Sequence, residues 1–290
     1  MSALADLPTR RTEAWKYSDL RAALGDRGLF LREGRDVIER LAPATQIETV
    51  PAEQTRVSVV RLGEATGLEA RAEDWRVEEG ATLVRVVLQA GGETPLSLAR
   101  VALAQGAKLR QFVLAEGARL ARIETHVDAA EAAEVELNGV YMCREGRHAD
   151  LTSIINHAAP NGQTRQLIKG VARKGGRGVF QGKIVVAPHA QKTDARQFHH
   201  GMLLEDGAEI FAKPELMIHA DDVQCAHGNT AGGLDERALF YMRARGVPEA
   251  EARALLIEAF LIEAVPDGLD AKVRDEIEAR IRAWLAEAGQ

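Results

Sequence analysis

Residues 106–142 read GAKLRQFVLAEGARLARIETHVDAAEAAEVELNGVYM, and they set the reading of the whole chain. Small-residue turns open at Gly106 (GAKL), Gly117 (GARL) and Ala132 (AAEV), and runs such as KLRQFVLA and RLARIETHV follow the first two, apolar or alternating at period two, which marks short strands. Similar turns recur as HADL at His148, GQTR at Gly162, RGVF at Arg177 and GAEI at Gly207, so that successive starts lie 11, 15, 16, 14, 15 and 30 residues apart. The last interval has room for two units, with VAPHAQKTDA as the turn between them. Upstream, RVSVVRL and TLVRVVLQ have the same character. An imperfect recurrence of a turn and a strand is what a stacked β architecture produces. Two units would make one coil, each strand pairing with its equivalent one coil away while alternate side chains fill a narrow core. Thr125, Thr152, Ser153, Asn156 and Thr164 are placed to form ladders along such a stack. A sandwich or an antiparallel meander also fits short strands at this spacing.

The 290 residues suffice for one large or two ordinary domains, and 46% hydrophobic with 28% charged residues is a globular composition. No apolar run approaches the ~20 residues of a spanning helix. The start, MSALADLPTRRTEAW, lacks the apolar stretch of a secretory signal, so the expected compartment is cytoplasmic. A net charge of -6 argues against nucleic acid as a partner. The two cysteines, Cys143 and Cys225, form no CxxC pair and are expected as free thiols. With aromatics at 4%, the core must be built from Leu, Val, Ile and Ala.

Three regions are expected: an N-terminal helical region over residues 1–50, a β core over 51–224 and a C-terminal helical region over 225–290. In the first, Ser18 is placed to cap a short helix carrying Leu20 and Leu24, Trp15 and Tyr17 to anchor the segment, and APATQIETVP to serve as a linker. Beyond Gly232, LDERALFYMRAR has acids in its first turn and arginines in its last, as a helix dipole favours. Pro248 then opens a helix whose apolar residues Leu255, Leu256, Ala259, Phe260 and Ile262 need cover from the body, a neighbouring helix or another protein. A last helix carries Val273, Ile277, Ile281 and Trp284.

Few motifs carry chemistry. GVFQGKI (178–184) is one residue short of a nucleotide-binding P-loop and ends in Ile where Ser or Thr is needed. RKGGRG (173–178) reads as a solvated turn between strands. His199 and His200 are adjacent and would point to opposite faces of a strand. There is no GxSxG elbow and no HExxH. Cys225 and His227, two apart, project to one side of an extended segment and offer thiolate and imidazole, two soft-metal ligands of an incomplete set. Asp221, Asp222, Cys143 or a partner chain would have to complete it. A carbohydrate-active enzyme on a β-helix is an alternative, and would need Asp or Arg clustered on an exposed sheet.

CAHGNTAGGLDERALFYMRARG (225–246) resembles the C-terminal signature of the SufB/SufD family of iron–sulfur cluster assembly proteins, and RTEAWKYSDL and KPELMIHADDV agree with it. The Trp-Lys-Tyr arm, and Cys-Ala-His-Gly where SufB proteins typically read Cys-Glu-His-Glu, place the resemblance on the SufD side. It implies a mainly β fold, a right-handed parallel β-helix core with helical regions at both ends, and a non-catalytic scaffold that pairs with a SufB-like protein and an ABC-type ATPase, SufC, with a homodimer possible for the isolated chain. By the same resemblance, His227 would face the partner's cysteine where an Fe–S cluster forms transiently, Cys225 would neighbour it, the C-terminal helices with Leu255, Leu256, Phe260 and Ile262 would dock the ATPase, and no cofactor would be tightly bound in the isolated chain.

Overall fold

The computed structural model describes residues 6–25 and 29–287. Fourteen strands form two seven-stranded sheets in which every pairing is parallel and joins strands two apart in sequence. One sheet is β1 (Thr45–Val50), β3 (Leu68–Val77), β5 (Thr94–Leu103), β7 (Ala121–Ala129), β9 (His148–His157), β11 (Arg177–Val186) and β13 (Glu209–Ile218). The other is β2 (Thr55–Leu62), β4 (Thr82–Gln89), β6 (Lys108–Ala115), β8 (Glu134–Cys143), β10 (Gln163–Ala172), β12 (Asp194–Leu203) and β14 (Gln224–Gly232). This is a parallel β-solenoid of about 7 turns, two strands to a turn, with helices at its ends. The sandwich and meander are thereby set aside, and the interval after Arg177 does hold a second unit, β12, entered through VAPHAQKTDA.

Four layers follow from which side chains alternate where. Between the sheets lie Trp75, Leu83, Val101, Leu109, Val127, Val135, Ile155 and Ile184, all almost fully buried. The outer face of the β2–β14 sheet presents Val86, Leu88, Phe112, Leu114, Val140 and Met142 to Ile257, Leu261, Ile277, Ile281 and Trp284 of α4 (Glu249–Ile262) and α5 (Ala271–Ala286). The outer face of the other sheet, through Leu96 and Leu98, is covered by the N-terminal segment with Leu7, Trp15, Leu20 and Leu24. Trp15 lies over the Arg122 guanidinium at 4.2 Å, and Tyr17 stacks on Phe211 at 5.3 Å, so both anchor the segment as expected.

Beneath Trp15, Arg122 donates to Glu124 and Asp150, each at 2.8 Å, with all three buried. Burial alone would raise the Glu124 carboxyl, but Arg122 and His126 outweigh it and hold it at about 2. Ser18 donates to Asp150 and lies 3.2 Å from His148. It is therefore not the helix cap expected of it. Asp19 caps α1 (Leu20–Leu24), accepting from the Ala22 amide.

Two further expectations are corrected. APATQIETVP is not a linker: Thr45–Val50 is β1, an outermost strand with half of its residues exposed, in register with β3. The β core does not stop at residue 224, because Gln224–Gly232 is the last strand, and helices begin only with α3 (Glu236–Ala244), capped by Asp235.

Candidate functional site

The sheets end together in β13 and β14, and among the described residues each of these pairs with one neighbour only. Cys225 and His227 are on β14, in register with Ala195 and Gln197 of β12. Ala195 and Gln197 are completely buried between the sheets, so by strand alternation Cys225, His227 and Asn229 point the same way, into the end of the core. With no further coil above them among the described residues, His227 is exposed, and Cys225 is half-buried, packed like Leu216 and Val223 against the end of the core. Two ligand-type side chains thus share one side of the strand that closes the stack, which their spacing predicted.

Among the described residues no third ligand joins them. Cys143, on β8, pairs in register with Ala172 and not with the row that leads to Cys225, which runs through Val135, Thr164 and Ala195. Eight residues of offset at ~3.3 Å each put Cys143 on the order of 25 Å away along the strand. It is fully buried, and burial pushes its thiol up to about 12. Asp221 and Asp222 lie in the exposed turn before β14, where Asp222 pairs with Lys192. Among the described residues no three His, Cys, Asp or Glu side chains are grouped to hold a metal ion. The Cys225 thiol is raised by burial, so it becomes a thiolate ligand only when a metal displaces the proton.

His199 and His200 point to opposite faces, as their adjacency required. His199 is buried with Nδ1 2.7 Å from Asn229 Oδ1 and Nε2 2.9 Å from the Tyr141 hydroxyl, and burial lowers its pKa to about 4. His200 faces outward, bonded to Thr230. Tyr141 fits inside the narrow stack because the residues beside its ring are glycines: a Cβ on Gly170 or Gly178 would meet the ring at 1.9 or 2.1 Å. GVFQGKI lies within strand β11, so no phosphate-binding loop forms there.

The C-terminal helices are only partly free. The residues of α4 buried against the sheet are Ile257 and Leu261, and Phe260 and Ile262 also pack on that cluster, whereas Leu255 is 45% exposed and Leu256 half-buried. A groove of about 760 Å³ opens between α4, α5 and the solenoid, lined by Leu204, Leu234, Ala254, Arg173, Arg253 and Glu258 among others. On α3, Phe240 and Tyr241 are 72% and 60% exposed.

A family model described as SUF system FeS cluster assembly, SufBD core domain, matches residues 37–260, a span that runs from α2 (Val37–Leu41) through the whole solenoid into α4. The chain belongs to the SufBD family. It is 35% identical to the iron-sulfur cluster assembly protein SufD of Escherichia coli over 151 residues, which are 52% of this chain and 36% of that protein. It is 36% identical to the chloroplastic protein ABCI7 of Arabidopsis thaliana over 171 residues, 58% of this chain and 36% of that one. A SufBD family protein of Mycobacterium leprae is 26% identical across 96% of this chain and 76% of its own length. The matched regions thus span about a third of the E. coli and Arabidopsis proteins, 36% in each. Among the described residues no helix is long and apolar enough to cross a membrane.

Proposed function

We propose that this chain is a SufD-like, non-catalytic scaffold subunit of a cytoplasmic SUF machinery, pairing with a SufB-like protein at the β13–β14 end and docking an ABC-type ATPase, SufC, on its C-terminal helices. The observation that carries the reading is the incomplete ligand pair: Cys225 and His227 share the inward side of a terminal strand with an unpaired edge, and no third ligand lies near them among the described residues. A partner strand laid along that edge would satisfy the free backbone groups and bring further ligands over the pair. The nascent Fe–S cluster is then cargo held between two chains, with imidazole and thiolate from this one. Leu255, Leu256 and the groove beside α4 offer apolar surface to the ATPase, while Phe260 and Ile262 mainly secure α4 to the solenoid. The same edge would let two copies pair when no SufB-like chain is present.

Of the Asp and Arg clusters a carbohydrate enzyme would need, Asp150–Arg122–Glu124 is buried beneath Trp15, and the exposed Arg165–Asp194–Arg196 group has its one carboxylate held by both arginines. Co-expression with a SufB-like protein and a SufC-type ATPase tests the proposal. Stoichiometric capture is expected, and His227→Ala should keep the complex but lower cluster assembly severalfold, with Cys225→Ser affected less. A chain that captures neither protein, or unchanged assembly by His227→Ala, would overturn it.

A further inference from the structure

The inner face of the β2–β14 sheet carries a row that leads to His227. In register it runs Arg85, Gln111, Leu137, Gln166, Gln197, His227. Gln166 and Gln197 of this row, with Ser153 of the facing sheet, form a directed ladder. Gln166 Nε2 donates to Ser153 Oγ at 2.9 Å, which leaves Gln166 Oε1 to accept from Gln197 Nε2, also at 2.9 Å. Gln197 has thereby used its amide nitrogen toward the preceding coil. Its Oε1 remains, buried and without a hydrogen-bond partner among the described residues, and the next residue of the row is His227. Gln197 itself is 0% exposed.

A buried acceptor without a donor is costly and rare, and here the missing donor has a natural candidate. One strand-to-strand step is bridged by the Gln197–Gln166 bond, and the same kind of step separates Gln197 from His227. Two residues further along the same pair of strands, the reciprocal contact is already made: His199 on β12 meets Asn229 Oδ1 on β14 at 2.7 Å, an imidazole N–H given to an amide oxygen across the step.

We infer that Gln197 is a positioning residue for His227: its free Oε1 takes the N–H of one ring nitrogen, fixing the tautomer and turning the other nitrogen, with its lone pair, away from the core toward the open edge. A ligating histidine commonly donates its second N–H to such an acceptor, which sets ring orientation and basicity. The consequence for cluster assembly rests on the reading of His227 as a ligand; the effect on the ring does not.

The test is ¹⁵N NMR of the His227 ring in the full chain, histidine-labelled and held at a pH where the imidazole is neutral. The wild type is expected to show one predominant tautomer. Gln197→Met, which keeps the volume and removes the acceptor, should return His227 to a mixture, and Gln197→Glu, which keeps an acceptor oxygen, should restore the single form. Circular dichroism of each variant establishes that the solenoid is folded. In the assembled complex Gln197→Met should slow cluster assembly about 10-fold. A mixed tautomer in the wild type, or an unchanged ring in folded Gln197→Met, overturns the inference while leaving His227 as a ligand. Unimpaired assembly by His227→Ala would instead remove the ligand reading, with the tautomer result standing on its own.

Discussion

Lowering the pH from 7.5 should destabilise this protein through three largely buried, neutral histidines. Burial holds His148, His157 and His199 at about 4 each; at His148 the Asp150 carboxylate opposes the effect, and Arg177, Arg10 and Arg122 add to it. An unfolded histidine titrates near 6.5, so each folded pKa is depressed by about 2.5 units, worth about 3 kcal/mol at ~1.4 kcal/mol per unit. The sign follows from proton uptake. Above the unfolded value both states are neutral and the contribution is complete; as pH falls from about 6.5 toward 4 only the unfolded chain binds protons, and stability is lost. Three such groups give a slope approaching ~4 kcal/mol per pH unit and a total on the order of 10 kcal/mol, comparable with the whole stability of a domain. Urea unfolding followed by far-UV circular dichroism at fixed ionic strength, from pH 7.5 to 4.5, reads this directly. The midpoint should fall steeply below about pH 6, and His157→Asn should remove about a third of the slope. A midpoint that stays level down to pH 5 would refute the placement of these three side chains as neutral and buried.

Gly170→Ala should cost at least about 2 kcal/mol in urea unfolding, because its Cβ would lie 1.9 Å from Tyr141 Cζ and the ring cannot move without breaking the bond to His199. Arg122→Met leaves Asp150 buried without its cation and Glu124 with His126 alone, and should destabilise by about 3–5 kcal/mol, more than any surface arginine substitution in the same assay. Trp15→Ala removes the ring stacked on Arg122 and should make the N-terminal segment several times more sensitive to limited proteolysis, leaving the solenoid intact as read by far-UV circular dichroism.

Much of the solenoid is legible because a coil built of two strand units repeats its turns: TLVRVVLQ and KLRQFVLA coincide with β4 and β6 residue for residue. β3, LEARAEDWRV, has no such signature, since Glu73 points into the core to meet Arg85 and the expected apolar alternation is broken by a buried ion pair. β1 escapes for the opposite reason: an outermost strand with exposed side chains, next to prolines, carries little hydrophobic pattern. Ser18 has the chemistry of a cap, and only the fold reveals that its hydroxyl goes to Asp150, 132 residues away. At the site, the shared side of Cys225 and His227 follows from strand geometry alone. Gln197 does not, because its relation to His227 exists only through the register between two coils.

Hydrogen–deuterium exchange of Gln224–Gly232, in the chain alone at a concentration where it is monomeric and with a SufB-like partner, tests the central claim most directly. The amides of β14 that have no partner across the free edge should exchange quickly in the monomer and become strongly protected when the partner strand is added, with the amides of β6 and β8 unchanged. Exchange along β14 that is the same with and without a partner bound would contradict a cluster site shared across that edge.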